Sequence, residues 1–187
     1  MIALGVIIGI VLVVGLFFVA MYNGMVRGRN LAEEAWSGIS VQLKRRHDLI
    51  PNLVNVVKGY AEHEKQVLEA VTMARAASMN LAKSTDVRAV GEAERGLSAA
   101  LGRLFAVAEN YPELKANENF LQLQHSLSDL ENEIQMARRY YNGASRDQNN
   151  RIQQFPANLF AGGFGFKKFD YFELDNESER AVPNVTF

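Results

Sequence analysis

Residues 120–144 read FLQLQHSLSDLENEIQMARRYYNGA. Phe120, Leu123, Leu127, Leu130, Ile134, Ala137, Tyr141 and Ala144 step by 3, 4, 3, 4, 3, 4, 3 through this stretch. An α-helix turns once every 3.6 residues, so these side chains fall on one face. Gln124, His125, Asp129, Glu133 and Arg138 fall on the other. The period predicts a long amphipathic helix; Ile152 and Phe155 continue its apolar face and Pro156 closes it.

Three further helices read the same way on the N-terminal side. One runs from the N-terminal apolar segment to about Tyr60, with Trp36, Ile39, Leu43, Arg46, Ile50, Leu53, Val57 and Tyr60 on a heptad-like seam. Pro51 falls inside it and is expected to kink it or end its first part. Arg46 lies on the apolar seam. It is either the buried partner of a carboxylate (Asp48, Glu109 or Glu133) or a sign that the register is shifted by one residue. A second helix spans 64–82, with Val67, Val71, Ala74, Ser78 and Leu81 inward. Lys83-Ser84-Thr85-Asp86 breaks it, and Thr85 or Asp86 caps the next. A third spans 87–110, with Val90, Ala93, Leu97, Leu101, Leu104 and Ala108 inward, and Pro112 ends it. Short connections make neighbours antiparallel, so the expected fold is all-α, an elongated antiparallel four-helix bundle.

The segment before this body is of another kind. Residues 1–26 carry no charged side chain, and 1–21 consist almost entirely of Ile, Val, Leu, Phe, Ala and Gly. Roughly 20 apolar residues of α-helix cross a hydrocarbon core about 30 Å thick. Tyr22 stands where an interfacial aromatic belongs, with Arg27 and Arg29 just beyond. A cleaved signal peptide fits less well, because nothing basic precedes the apolar run and Val19-Ala20-Met21 is a poor cleavage site. The reading is a retained single-pass anchor. Arg27, Arg29, Lys44, Arg45 and Arg46 place the C-terminal body in the cytoplasm by the positive-inside rule, with the periplasm as the alternative.

The expected organisation is therefore 1–26 anchor, 27–156 helical bundle and 157–187 tail. The tail is dense in aromatics (Phe160, Phe164, Phe166, Phe169, Tyr171, Phe172) and glycines (Gly162, Gly163, Gly165), too apolar to float freely in water. It is expected to pack along the bundle, with docking on a second subunit or on lipid as the alternatives. Lys and Arg number 20 against 21 Asp and Glu, so no overall field recruits nucleic acid. Residues 27–60 hold six cations against three carboxylates, a net +3 that suits either anionic lipid or a solvated helix face.

Several motifs resemble the signature of the LemA family. They are Ala35-Trp36-Ser37, the run Val41 to Val54 (VQLKRRHDLIPNLV), Lys58-Gly59-Tyr60 and Glu109-Asn110-Tyr111-Pro112. Ala137-Arg138-Arg139-Tyr140-Tyr141-Asn142, Phe155-Pro156 and the Phe-rich tail complete the set. The resemblance covers nearly the whole chain. It implies a bacterial single-pass protein with a helical bundle behind an N-terminal membrane helix, and it assigns no catalytic residue.

The residues themselves supply no reactive set. The positions three before His47, His63 and His125 are Lys44, Tyr60 and Gln122, so the Glu-x-x-His step of a di-iron bundle is missing. His63-Glu64 opens like a zincin motif, but Val67 stands where the second histidine is needed. There is no cysteine, and Gly162-Gly163-Phe164-Gly165 lacks the lysine and helix of a phosphate loop. The expectation is a non-enzymatic protein with no catalytic, cofactor or metal residues. It self-assembles as a scaffold at the bacterial inner membrane, through membrane lipid and a homo-oligomer. Gly5-x-x-x-Gly9 is a spacing that admits a second membrane helix. The alternative is a tethered adaptor that docks an envelope partner protein. Arg45-Arg46-His47-Asp48 reads first as a register-fixing charge network, and Tyr140, Tyr141 and Asn142 read as bundle packing.

Overall fold

The computed structural model describes residues 2–82, 84 and 86–173. Among them the chain is all-helical and holds no strand. The helices are α1 (Ile2–Tyr60), α2 (Lys65–Leu81), α3 (Val87–Ala108), α4 (Pro112–Lys115) and α5 (Glu118–Gln153), with a 3-10 turn at Ala157–Leu159. One of these, α1, is long and apolar enough to cross a membrane, and none of its most apolar window is buried. Pro51 does not end α1, which is helical for 59 residues. The single turn α4 has no counterpart in the apolar periodicity, because four residues are too few to show a period; Pro112 at its first turn is preorganised for it.

The caps follow from the side chains available. Asp86 accepts from the backbone N–H groups of Arg88 and Ala89 at the start of α3, while Thr85 lies outside the described residues. Asn117 does the same for α5, its Oδ1 accepting from the Phe120 N–H at 3.0 Å.

The described residues divide into two compact units, Gly38–Arg138 with 171–173, and 2–37 with Arg139–Asp170. In the first, α1, α2, α3, α4 and α5 all feed one apolar core. Ile50, Leu53, Val57, Val71, Leu97, Leu104 and Leu114 are each fully buried there. Along α5, Phe120, Leu127 and Ile134 are buried whereas Leu123 and Leu130 are only partly so. The expected seam is right, but its depth alternates: one position per seven residues points straight inward and its neighbour flanks it. The other expected seams hold likewise, except that Tyr60 is 40% exposed, Leu68 is a buried position of α2 that the spacing missed, and Glu94 rather than Ala93 is the fully buried position of α3. Phe172 of the tail is fully buried in this unit. It lies against Gly91 of α3, where an added Cβ would come within 2.7 Å of the Glu173 carbonyl oxygen. Residues 174–187 of the expected aromatic tail lie outside the described residues.

In the second unit a smaller apolar cluster joins Met25, Ile152, Ala157, Ala161 and Phe166. Gly28 borders it: a Cβ there would sit 2.0 Å from Gln148 Oε1 and 2.8 Å from Arg151 Nη1, so a larger residue would require those side chains to shift. Gly5 and Gly9, by contrast, have nothing within 4 Å. The segment after α5 turns at Gly165, whose φ of 76° suits glycine, and returns along the helix. Asn149 holds it by both ends of its amide, donating to the Phe169 carbonyl at 2.9 Å and accepting from the Phe169 N–H at 2.8 Å. The buried Tyr141 hydroxyl donates to the Asp170 carbonyl at 2.9 Å. Over the described residues the tail packs only in part: Ala157, Ala161, Phe166 and Phe172 are buried, whereas Leu159, Phe164 and Tyr171 are exposed.

Candidate functional site

The densest polar constellation is buried in the first unit, where α1, α2, α3 and α5 meet. Arg46 and His47 come from α1, Ser78 from α2, Glu94 and Ser98 from α3, and Glu131 from α5. Arg46, His47, Ser78 and Glu94 are each under 5% exposed. The Arg46 guanidinium lies 3.4 Å from Glu94 Oε2 and 3.4 Å from Glu131 Oε2, and donates to Ser98 Oγ at 2.7 Å. His47 Nε2 is 2.8 Å from Glu94 Oε1 and 2.9 Å from Ser78 Oγ. The Ser78 hydroxyl also donates to Glu94 Oε1. A carboxylate only accepts, which assigns the ring proton of His47 to Nε2. Glu94 is thus the hub, meeting a guanidinium, an imidazole and a hydroxyl from three different helical positions.

A second device in the same place explains how α1 passes through Pro51. Proline has no N–H, so the carbonyl four residues back, that of His47, loses its helical donor. Arg75 of α2 replaces it, its Nε donating to the His47 carbonyl oxygen at 2.7 Å. Tertiary structure supplies the bond that the helix cannot. Arg75→Met is therefore expected to cost about 1–3 kcal/mol, the penalty of a buried carbonyl left unsatisfied. Adding Pro51→Ala, which restores the local N–H, is expected to recover most of it. Urea unfolding followed by circular dichroism reads both; equal losses with and without Pro51→Ala would rule the compensation out.

Of the cluster expected from sequence, Arg46 and His47 are buried while Arg45 and Asp48 are exposed. The expected partners of Arg46 are corrected. Asp48 pairs with Lys44 at 2.6 Å, Glu109 pairs with Lys115 at 3.0 Å and Glu133 is exposed. The Lys44 hydrogen bond, with Lys44 and Arg75 as nearby positive charges, holds the Asp48 carboxyl below its usual range. Tyr140 is likewise corrected: it is 57% exposed, whereas Tyr141 packs 5.2 Å from Trp36 and its phenol is pushed up by burial.

The sequence reading missed Glu94 because it placed the apolar Ala93 on the seam. Yet 90, 94, 97, 101, 104 and 108 step by 4, 3, 4, 3, 4, a cleaner heptad than one through 93. A carboxylate on that seam and an arginine on another were the available signal for a cross-helix pair.

Chemically the cluster resembles a nucleophile set only in composition. In a serine–histidine–carboxylate relay the hydroxyl and the carboxylate occupy opposite ring nitrogens. Here both face Nε2, and Ser78 gives its proton to the carboxylate rather than to the base. What the arrangement does well is hold four helical segments in one register, since sliding any of them by a turn would leave a buried charge alone. No group of three or more His, Cys, Asp or Glu among the described residues converges in a way that could hold a metal ion.

Comparison with known proteins adds identity. The LemA family profile matches residues 35–187. Magnetosome proteins MamQ 1 and MamQ 2 of Paramagnetospirillum magneticum are 26% identical over 175 residues, covering 81% of this chain. The matched region spans 64% of the length of those relatives. Protein LemA of Metamycoplasma hominis is 29% identical over 154 residues, covering 81% of this chain and 69% of that protein. The profile takes in the buried charge cluster, all of α2 to α5 and the aromatic tail, and the chain belongs to the LemA family.

Proposed function

We propose that this chain is a membrane-anchored, non-enzymatic scaffold that self-assembles on the bacterial inner membrane, with its helical body in the cytoplasm. The carrying observation is α1, which runs as one helix from an uncharged membrane-length segment into the apolar core. On this reading residues 1–26 are the anchor, 27–156 an antiparallel four-helix bundle and 157–187 the tail. The buried cluster of Arg46, His47, Ser78 and Glu94 supports it, because its groups are engaged with one another rather than presented to a substrate. Gly5 and Gly9 support self-association, since their backbone is open to a second membrane helix. The magnetosome named in the two MamQ relatives adds a setting without adding chemistry.

Light scattering and electron microscopy of the full-length protein in detergent and in native membranes test the reading. A regular multi-subunit particle is expected, and a monomer overturns self-assembly. One observation favours an adaptor instead: a groove of about 540 Å³ on the first unit, lined by Val54, Lys58, Leu68, Thr72 and the 72%-exposed Met73. Crosslinking from Met73→Cys to a second protein species would support that reading. Topology is tested by the same cysteine-free chain. A membrane-impermeant maleimide is expected to label Arg146→Cys only after cells are permeabilised; labelling of intact spheroplasts would put the body on the periplasmic side.

A further inference from the structure

The end of the membrane-length segment of α1 is not bare. Phe18 meets Phe160 edge-on at 4.9 Å, and Tyr22 meets Phe164 at 5.3 Å and Phe166 at 5.7 Å. These contacts fasten the segment after α5 to α1 at the level where an apolar span reaches the bilayer surface. Having been brought there, the segment turns large apolar side chains outward: Phe155 is 80% exposed, Leu159 66% and Phe164 57%. In water that display is costly, yet these exposures match those of the membrane-facing residues of α1 itself, such as Phe17 at 53% and Leu16 at 70%.

The charges within these two segments have one sign, with Glu33 lying 4.0 Å from Arg29 one helical turn further along α1. Residues 1–29 and 151–168 hold Arg27, Arg29, Arg151, Lys167 and Lys168 and not one Asp or Glu. Arg29 lies over the Phe166 ring at 5.4 Å, tying the cation to the aromatic cluster. Between α1 and this segment a cleft of about 280 Å³ is walled by Phe17, Met21, Phe155 and Pro156 and bordered by Arg151. An apolar wall ending in a cation matches the chemistry of an anionic phospholipid, acyl chain below and headgroup above.

We propose that residues 155–168 are a second membrane contact, in which Phe155, Leu159 and Phe164 enter the interfacial layer beside α1 while Arg27, Lys167 and Lys168 face anionic headgroups. The inference rests on the reading of α1 as a membrane anchor and adds a collar to it. A lone helix can spin and tilt in a bilayer; a collar of this kind fixes its rotation and couples the start of the body to lipid charge.

The chain lacks cysteine, so single nitroxide labels report depth directly. Full-length protein with Phe155→Cys or Phe164→Cys is labelled, reconstituted into phosphatidylglycerol/phosphatidylcholine vesicles and probed by electron paramagnetic resonance. Oxygen collects in hydrocarbon and a nickel chelate stays in water. Val13→Cys serves as the membrane reference and Met73→Cys as the aqueous one. Labels at 155 and 164 are expected to favour oxygen over nickel, between the two references. Lys167→Glu with Lys168→Glu is expected to shift them toward nickel in the anionic vesicles but not in phosphatidylcholine alone. Nickel access at 155 and 164 equal to that at 73, with 13 still in hydrocarbon, overturns the collar and leaves the anchor standing. Nickel access at 13 as well overturns both. Protection of 155 and 164 from both reagents would assign the face to a second copy of the chain and overturn the lipid contact.

Discussion

Glu94→Ala lowers the unfolding free energy by about 3–5 kcal/mol, the usual cost of removing one partner from a buried ion pair. The substitution takes a counter-charge from Arg46, leaving the partly exposed Glu131 to meet it, and removes the acceptor shared by His47 and Ser78. His47 and Ser78 are too deeply buried for water to replace what is lost, whereas Arg46 borders a cleft and keeps Glu131. Urea titration of the full-length protein in detergent measures the change, and a loss below about 1 kcal/mol would show that the cluster is solvated and the hub assignment wrong. Arg46→Leu combined with Glu94→Leu is expected to recover much of the loss, because two charges are then removed together and apolar volume takes their place. Recovery of stability by the double variant, with helix register loosened, would identify the network as a device of specificity. Failure to recover would mean that His47 and Ser78 depend on Glu94 for more than its charge.

Leu104→Asp abolishes the cooperative unfolding transition of the helical body. Leu104 is fully buried in the core formed with Ile50, Leu53, Val57, Val71, Leu97 and Leu114. Its replacement forfeits a leucine's burial and places a carboxylate among side chains that offer it no partner. A domain of this size has only about 5–15 kcal/mol to lose, and the two penalties together approach that. Far-ultraviolet circular dichroism during heating checks it, and a melt like that of the unaltered protein would refute the core assignment. Positions on the α5 seam are gentler tests. Leu130 is half-buried, so Leu130→Asp is expected to lower the melting temperature without abolishing the transition. Leu127 lines a surface cleft together with Arg46, so an aspartate there has a cation within reach.

Helix content, the limits of the longer helices and the apolar membrane-length segment were legible in the sequence because each rests on a local property. Periodicity of 3.6, the aspartate cap of α3, and an uncharged run of membrane length all act within a few neighbouring residues. Even Arg46 announced itself, as a charge on an apolar seam. Its partners did not, because a seam reports which face of a helix is buried and says nothing of which other helix lies across from it. The same limit hid Arg75. That Pro51 orphans the His47 carbonyl follows from helix geometry alone. That an arginine 28 residues further on returns to that carbonyl depends on how α2 packs on α1. Gly28, Gly91 and the outward-facing Phe155, Leu159 and Phe164 belong to the same class. A glycine or a phenylalanine has one meaning in a sequence and another once a neighbour, or a bilayer, stands beside it. The sequence alone determined what each segment is; only the tertiary structure decided what each segment meets, because pairing between distant residues is set by the packing of whole helices.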